Sequence, residues 1–193
     1  MITPDPAKST HYLKRVEYLN ELELKGNMIF IGDSITSNFH LKEHFPDLDT
    51  INLGIPGETT STLLYRIKEY DLSLPSKVML MIGVNDIGRS VNLAKFSENF
   101  EKIIRNLSIC DCDIYVYSIL NSSEFKRDNN QIDLFNRYLE ESNASFGYTY
   151  IDLNRELNSQ KITIHTSDGL HISDDSYNVW RNVINREIFN VPM

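Results

Sequence analysis

The 193-residue chain, 41% hydrophobic and 24% charged, has the composition of an ordinary globular protein and the length of one domain, enough to bury a core without disulfides or a metal. Its formal net charge of −8, with no basic stripe to offset it, argues against binding phosphate backbones or anionic membranes. No run reaches the ~18 apolar residues of a membrane span, and Met1 to Pro6 lack the basic and apolar regions of a secretory leader. The expectation is a cytoplasmic protein.

In chain order, Tyr12, Val16 and Leu19 predict an N-terminal helix at about 8–25. Residues 28–31 form the first strand, continuously apolar as befits a strand covered on both faces. It runs into Gly32-Asp33-Ser34-Ile35-Thr36. A second strand at 50–53 leads into Asn52-Leu53-Gly54-Ile55-Pro56-Gly57, and a third at 78–82 into Gly83-Val84-Asn85-Asp86. Phe96, Phe100, Ile103 and Leu107 recur at helical spacing and read as core. Cys110 and Cys112 are one residue short of a zinc or redox pair and read as free thiols, consistent with a reducing compartment.

The fourth strand is predicted at 114–120, followed by a polar loop at 121–131 able to wall a binding site. Ile132, Phe135 and Leu139 mark the next helix, 148–151 the fifth strand, and Tyr177, Trp180, Ile184 and Ile188 the last helix. Just before that helix lies Ser167-Asp168-Gly169-Leu170-His171. Alternating strands and helices predict a mostly parallel sheet between helical layers, with ligands bound beyond the C-terminal strand ends. No repeat or linker divides the chain, so residues 1–193 read as one domain.

The residues at those strand ends suit acyl chemistry. Ser34, entering a helix from a strand, exposes its hydroxyl, which becomes a nucleophile when a base takes its proton. His171 is the candidate base, and the Asp-x-x-His spacing lets one turn set Asp168 against it as orienting carboxylate. The Ser34 N–H, the Gly54 N–H and the Asn85 amide are candidate donors to a developing oxyanion. Each signal alone has a plainer reading: a helix cap for Ser34, turns for Gly54 and Asn85-Asp86, a surface position for His171. Their weight comes from occurring together, in order, at successive strand ends.

With these four blocks the chain resembles the SGNH (GDSL) hydrolase family, which supplies a Ser, Gly, Asn and His from corresponding positions. The resemblance extends from residue 28 into the final helix. It implies a flavodoxin-like three-layer α/β/α sandwich with five parallel strands in order 2-1-3-4-5. It also implies Ser34, Asp168 and His171 as catalytic residues, and Ser34, Gly54 and Asn85 as oxyanion hole. The implied activity is ester hydrolysis without metal or cofactor. Where relatives carry a proline after the fourth strand, this chain reads Ser118-Ile119-Leu120-Asn121.

The chain's compactness, without an insertion to form a lid, points to a small ester, either short-chain or an O-acetyl group on a sugar. Acyl transfer to a sugar hydroxyl, or carbohydrate binding without turnover, are the alternatives; oligomeric state is left open. His165, Asp168 and His171 invite a metal reading, but Gly169 interrupts any helix between them, so none is assigned. Asp33 and Asp86 are expected to brace loops through backbone N–H bonds, Arg66 to form a surface ion pair, His165 to sit in a loop, and His11, His40 and His44 to be solvated.

Overall fold

The computed structural model describes residues 9–21, 27–70, 75–109 and 111–191. Five parallel strands, β1 (Met28–Gly32), β2 (Thr50–Asn52), β3 (Lys77–Met81), β4 (Asp113–Tyr117) and β5 (Thr149–Ile151), form one sheet in the order β2-β1-β3-β4-β5. The helices are α1 (Thr10–Asn20), α2 (Ser34–Ser37), α3 (Leu41–His44), α4 (Thr60–Arg66), α5 (Val84–Gly88), α6 (Leu93–Leu107), α7 (Asn129–Phe146), α8 (Leu153–Asn158) and α9 (Asp174–Phe189).

Strand alternation divides the core into two layers. Ile29, Ile31, Val78, Leu80, Ile114 and Val116 face α1, α4, α6 and α7. Met28, Phe30, Met79, Met81 and Tyr117 face α2, α3, α8 and α9. Both sides of β1 are therefore buried, the reason its sequence is apolar without a break. The helical stripes are also buried: Phe96, Phe100, Ile103 and Leu107 on α6, Ile132, Phe135 and Leu139 on α7, and Tyr177, Trp180, Ile184 and Ile188 on α9.

Element ends differ from the sequence reading where side chains intervene. The first helix begins at Thr10 because Ser9 Oγ accepts the Tyr12 N–H at 3.1 Å; residues 8 and 22–25 of its expected span lie outside the described residues. β4 stops at Tyr117 rather than Leu120. β5 ends at Ile151, whose carbonyl takes the Ser118 N–H, and beyond it side-chain amides replace the missing strand. Asn136 brackets Ile119 by donating to its carbonyl (2.8 Å) and accepting its N–H (2.7 Å), and Asn154 accepts the Asn121 N–H (2.8 Å). α7 starts inside the stretch read as loop, because Asp128 caps it. Cys112 is disulfide-bonded, which corrects the free-thiol expectation for that residue and removes its support for a reducing compartment; Cys110 lies outside the described residues.

The aromatic heart of the second layer is Trp180, 1% exposed and in ring contact with Phe30, Phe39, Tyr117 and Tyr177. Trp180→Ala is expected to cost about 3–5 kcal/mol through lost burial and the cavity left behind, read as a lower midpoint in urea unfolding.

Candidate active site

The C-terminal ends of β1, β2 and β3 and the loop before α9 converge on one cleft. β1 ends at Gly32, and Asp33 caps the short α2 by accepting the Ile35 N–H at 2.9 Å. Ser34 thus opens that helix, where first-turn N–H groups have no intrahelical acceptor. Its Oγ lies 2.9 Å from His171 Nε2, across 137 residues of chain. His171 Nδ1 lies 2.6 Å from Asp168 Oδ2. The other carboxylate oxygen accepts the N–H groups of Leu170 and His171 and the Thr166 hydroxyl, each at 2.9 Å. The contact with His171, reinforced by the two backbone N–H groups, holds the Asp168 carboxyl well below the usual carboxylate range.

The loop carrying this pair is fastened at both ends. His165 and Ile172 form an antiparallel bridge, and Thr166 N–H donates to the His171 carbonyl. At its tip Gly169 takes a φ of +72°, and its carbonyl accepts the Ser122 hydroxyl (2.7 Å) and the N–H groups of Ser123 (2.8 Å) and Glu124 (3.2 Å). The post-β4 loop thus walls the site, as its position in the sequence predicted.

Asn85 reaches the same place by another route. Gly83, at φ +134°, turns the chain off β3 in a conformation that L residues rarely adopt. The Asn85 Nδ2 then donates to the Glu58 carbonyl at 3.0 Å, while its Oδ1 accepts from Arg127 Nη2 at 3.2 Å. Gly54 differs from expectation. Its N–H donates to Asn52 Oδ1 at 2.9 Å instead of lying open, and Asn52 Nδ2 in turn holds the carbonyls of Thr36 (2.7 Å) and Phe39 (3.0 Å). The missing side chain at Gly54 serves close packing on α2, where a Cβ would meet Ser37 N at 2.3 Å.

Arg66 is not on the surface. It is 1% exposed, paired with Glu58, itself 0% exposed, through Nε at 2.6 Å and through Nη2. It also donates to the Leu53 carbonyl and the Tyr70 hydroxyl, each at 2.7 Å, and Tyr12 donates to Glu58 at 3.0 Å. Burial opposes the guanidinium charge, but Glu58 outweighs it and holds the Arg66 pKa above its ordinary value. The spacing Leu63, Arg66, Ile67 would have placed Arg66 on the buried stripe of its helix.

Asp86 accepts the Thr60 N–H (2.9 Å) and hydroxyl (2.5 Å), so it and Asp33 both brace backbone as expected. Burial pushes Asp33 up to about 7 against the pull of the Ile35 N–H, and Asp86 up to about 6 against the Thr60 bonds. His165 lies in its loop with Nε2 2.7 Å from the Asn121 carbonyl. Among the described residues no group of three or more His, Cys, Asp or Glu is arranged to hold a metal. His11 and His40 are exposed, but His44 is half-buried against Phe39 at 4.9 Å, and burial lowers its pKa. Beside Asn85 and Asp168 a cleft of about 380 Å³ is lined by Gly88, Glu124, Lys126, Arg127 and Leu170.

The chain is similar to known proteins in sequence and in fold. Residues 30–179 match the GDSL-like Lipase/Acylhydrolase family. The chain belongs to this family. Among solved structures, a Streptococcus pneumonia protein described as a candidate platelet activating factor superposes with a TM-score of 0.81 at 27% identity, covering 91% of each chain. A GDSL-like lipase from Bacteroides thetaiotaomicron gives 0.75 at 20% identity, covering 96% of this chain and 99% of its own. An acetylxylan esterase from Geobacillus stearothermophilus gives 0.68 at 20% identity, covering 84% and 94%. At that identity the last two establish the fold, which is the three-layer sandwich of GDSL-like acylhydrolases. The virulence transcriptional regulatory protein PhoP of Salmonella typhimurium is 30% identical over 80 residues; the match spans 41% of this chain and about a third of the regulator, 34%. No helix among the described residues is long and apolar enough to cross a membrane.

Two stability measurements probe the site's electrostatics. Arg66→Met leaves Glu58 buried without its partner and is expected to cost about 3–5 kcal/mol in chemical unfolding. For Asp33, the folded pKa of about 7 lies above the ~3.9 of an unfolded aspartate. The folded state therefore binds the extra proton, and its contribution to stability fades as pH rises from about 4 through 7. Asp33→Asn does not titrate, so its stability relative to wild type should be higher at pH 8 than at pH 5 in urea titrations.

Proposed function

We propose that this GDSL-like acylhydrolase is a serine esterase acting on small carboxylic esters, an O-acetyl group on a sugar foremost, through an acyl-enzyme on Ser34. The observation that carries the reading is the unbroken line from Asp168 Oδ2 to His171 Nδ1 (2.6 Å) and from His171 Nε2 to Ser34 Oγ (2.9 Å). That is the geometry a nucleophile, a base and an orienting carboxylate need.

His171 Nε2 takes the hydroxyl proton as Ser34 Oγ attacks the ester carbon. Asp168, its pKa already depressed, stays ionised and stabilises the imidazolium. The oxyanion of the tetrahedral intermediate takes bonds from the Ser34 N–H and from the Asn85 Nδ2 hydrogen not given to Glu58. Gly54 N–H joins them by sharing its hydrogen between Asn52 Oδ1 and the substrate. The intermediate collapses as His171 passes the proton to the leaving alkoxide. Water then enters, gives its proton to His171 and attacks the acyl carbon; breakdown of the second intermediate returns the proton to Ser34 and releases the acid. The polar, charged lining of the cleft and the likeness in fold to an acetylxylan esterase support a short acyl group on a polar alcohol.

Hydrolysis of p-nitrophenyl acetate, butyrate and octanoate by wild type and Ser34→Ala tests the proposal. Acetate should be the fastest substrate, and the mutant should lose at least about 10⁴-fold in kcat. Equal rates for the two proteins would remove Ser34 from the chemistry.

A further inference from the structure

Arg127 lies in the post-β4 loop and takes no part in the relay above, yet its side chain is only 12% exposed. Three contacts hold it. Nη1 pairs with Glu124 Oε2 at 2.8 Å, Nη2 donates to Asn85 Oδ1 at 3.2 Å, and its flat face lies against the bare backbone of Gly88. A Cβ at Gly88 would come within 2.6 Å of Cζ and 2.8 Å of Nε, so that position leaves room for the guanidinium only as glycine.

The contact with Asn85 has a chemical consequence. A side-chain amide can turn over, exchanging its oxygen for its nitrogen, and an Asn85 turned that way would present an acceptor to a developing oxyanion. Here Oδ1 faces a cation that can only donate, and Nδ2 faces the Glu58 carbonyl, which can only accept. Both ends therefore agree on one orientation, which leaves the second N–H of an amide that lines the cleft for a ligand there. A positive charge on Oδ1 also draws electron density from the amide and makes that N–H a stronger donor.

We propose that Arg127 is a positioning residue for the oxyanion hole, fixing the orientation of the Asn85 amide and polarising it from behind. This rests on the esterase reading, in which Asn85 donates to the oxyanion. The effect belongs to the transition state, where the negative charge is greatest, and so falls on kcat rather than on KM.

The test is steady-state hydrolysis of p-nitrophenyl acetate by wild type, Arg127→Ala, Asn85→Ala, the double variant and Ser34→Ala, with thermal melting of each to verify folding. Loss of a whole oxyanion donor costs about 10²–10³ in turnover. Arg127→Ala is expected to lower kcat by about 10- to 100-fold with KM little changed, and methylguanidinium should restore part of the loss. The double variant should be no slower than Asn85→Ala, because without the amide Arg127 has nothing to position. Gly88→Ala, which drives the guanidinium from its place, should mimic Arg127→Ala and carries the test if that variant does not fold.

An unchanged kcat beside a slow Asn85→Ala, losses that multiply in the double variant, or a change confined to KM would overturn the assignment of Arg127 alone. A Ser34→Ala protein that still turns over, or an Asn85→Ala protein as fast as wild type, would instead bring down the esterase reading beneath it.

Discussion

Two opposite charges, Glu58 and Arg66, face each other beneath the segment that joins β2 to α4, almost wholly shut off from water. Removing both from solvent is costly, and such a pair is a weak source of net stability. What it provides here is placement. Arg66 holds the Leu53 carbonyl, next to Gly54; the backbone carbonyl of Glu58 holds Asn85; and Tyr12 ties α1 to the same carboxylate. The floor of the candidate oxyanion hole is thus set by a buried ion pair, and the cost of misplacing either charge is large.

The same economy of burial explains the two aspartates. Asp33 caps α2 immediately after β1 by accepting the Ile35 N–H, whereas Asp86, inside α5, reaches across 26 residues to accept the Thr60 N–H at the start of α4. A carboxylate does this well but must be buried, which raises its pKa. Capped helix starts and raised carboxyl pKa values are two faces of one constraint: the first N–H groups of α2 and α4 take buried acceptors.

Much of this was legible in the sequence because it rests on periodicity. Unbroken apolar runs at residues 28–31 and 78–82 can only be strands covered twice, and the i, i+4, i+7 stripes of α6 and α9 can only be helix faces in a core. Ser34, Asn85, Asp168 and His171 stand out because their place relative to strand ends carries meaning, and the fold sets Ser34, His171 and Asp168 in one hydrogen-bonded line. What escaped depends on side chains reaching across the chain. Arg66 was read as a charge before it was read as a position on a stripe. The bond from Gly54 N–H to Asn52 connects residues whose types say nothing of each other. Asn136 and Asn154, which replace a strand beyond β4, and Arg127, set in a polar loop without periodicity, leave no pattern at all.

The carbonyl of Gly169 takes four donors from residues 122–124, and a few positions later the same loop reaches Asn85. The loop that carries His171 and the turn that carries Asn85 are thus clasped by one short stretch of chain that belongs to no strand or helix. The strand pairing does not involve that stretch, which joins the helices through Ser122 on Asn129 of α7 and Arg127 on Asn85 and Gly88 of α5. Ser34 and His171 come together across most of the polypeptide, so their meeting waits for everything between them to be in place. The alignment of Ser34, His171 and Asp168 therefore rests on the loop that Gly169 anchors as well as on the sheet. A protein built this way can lose its chemistry while keeping its fold.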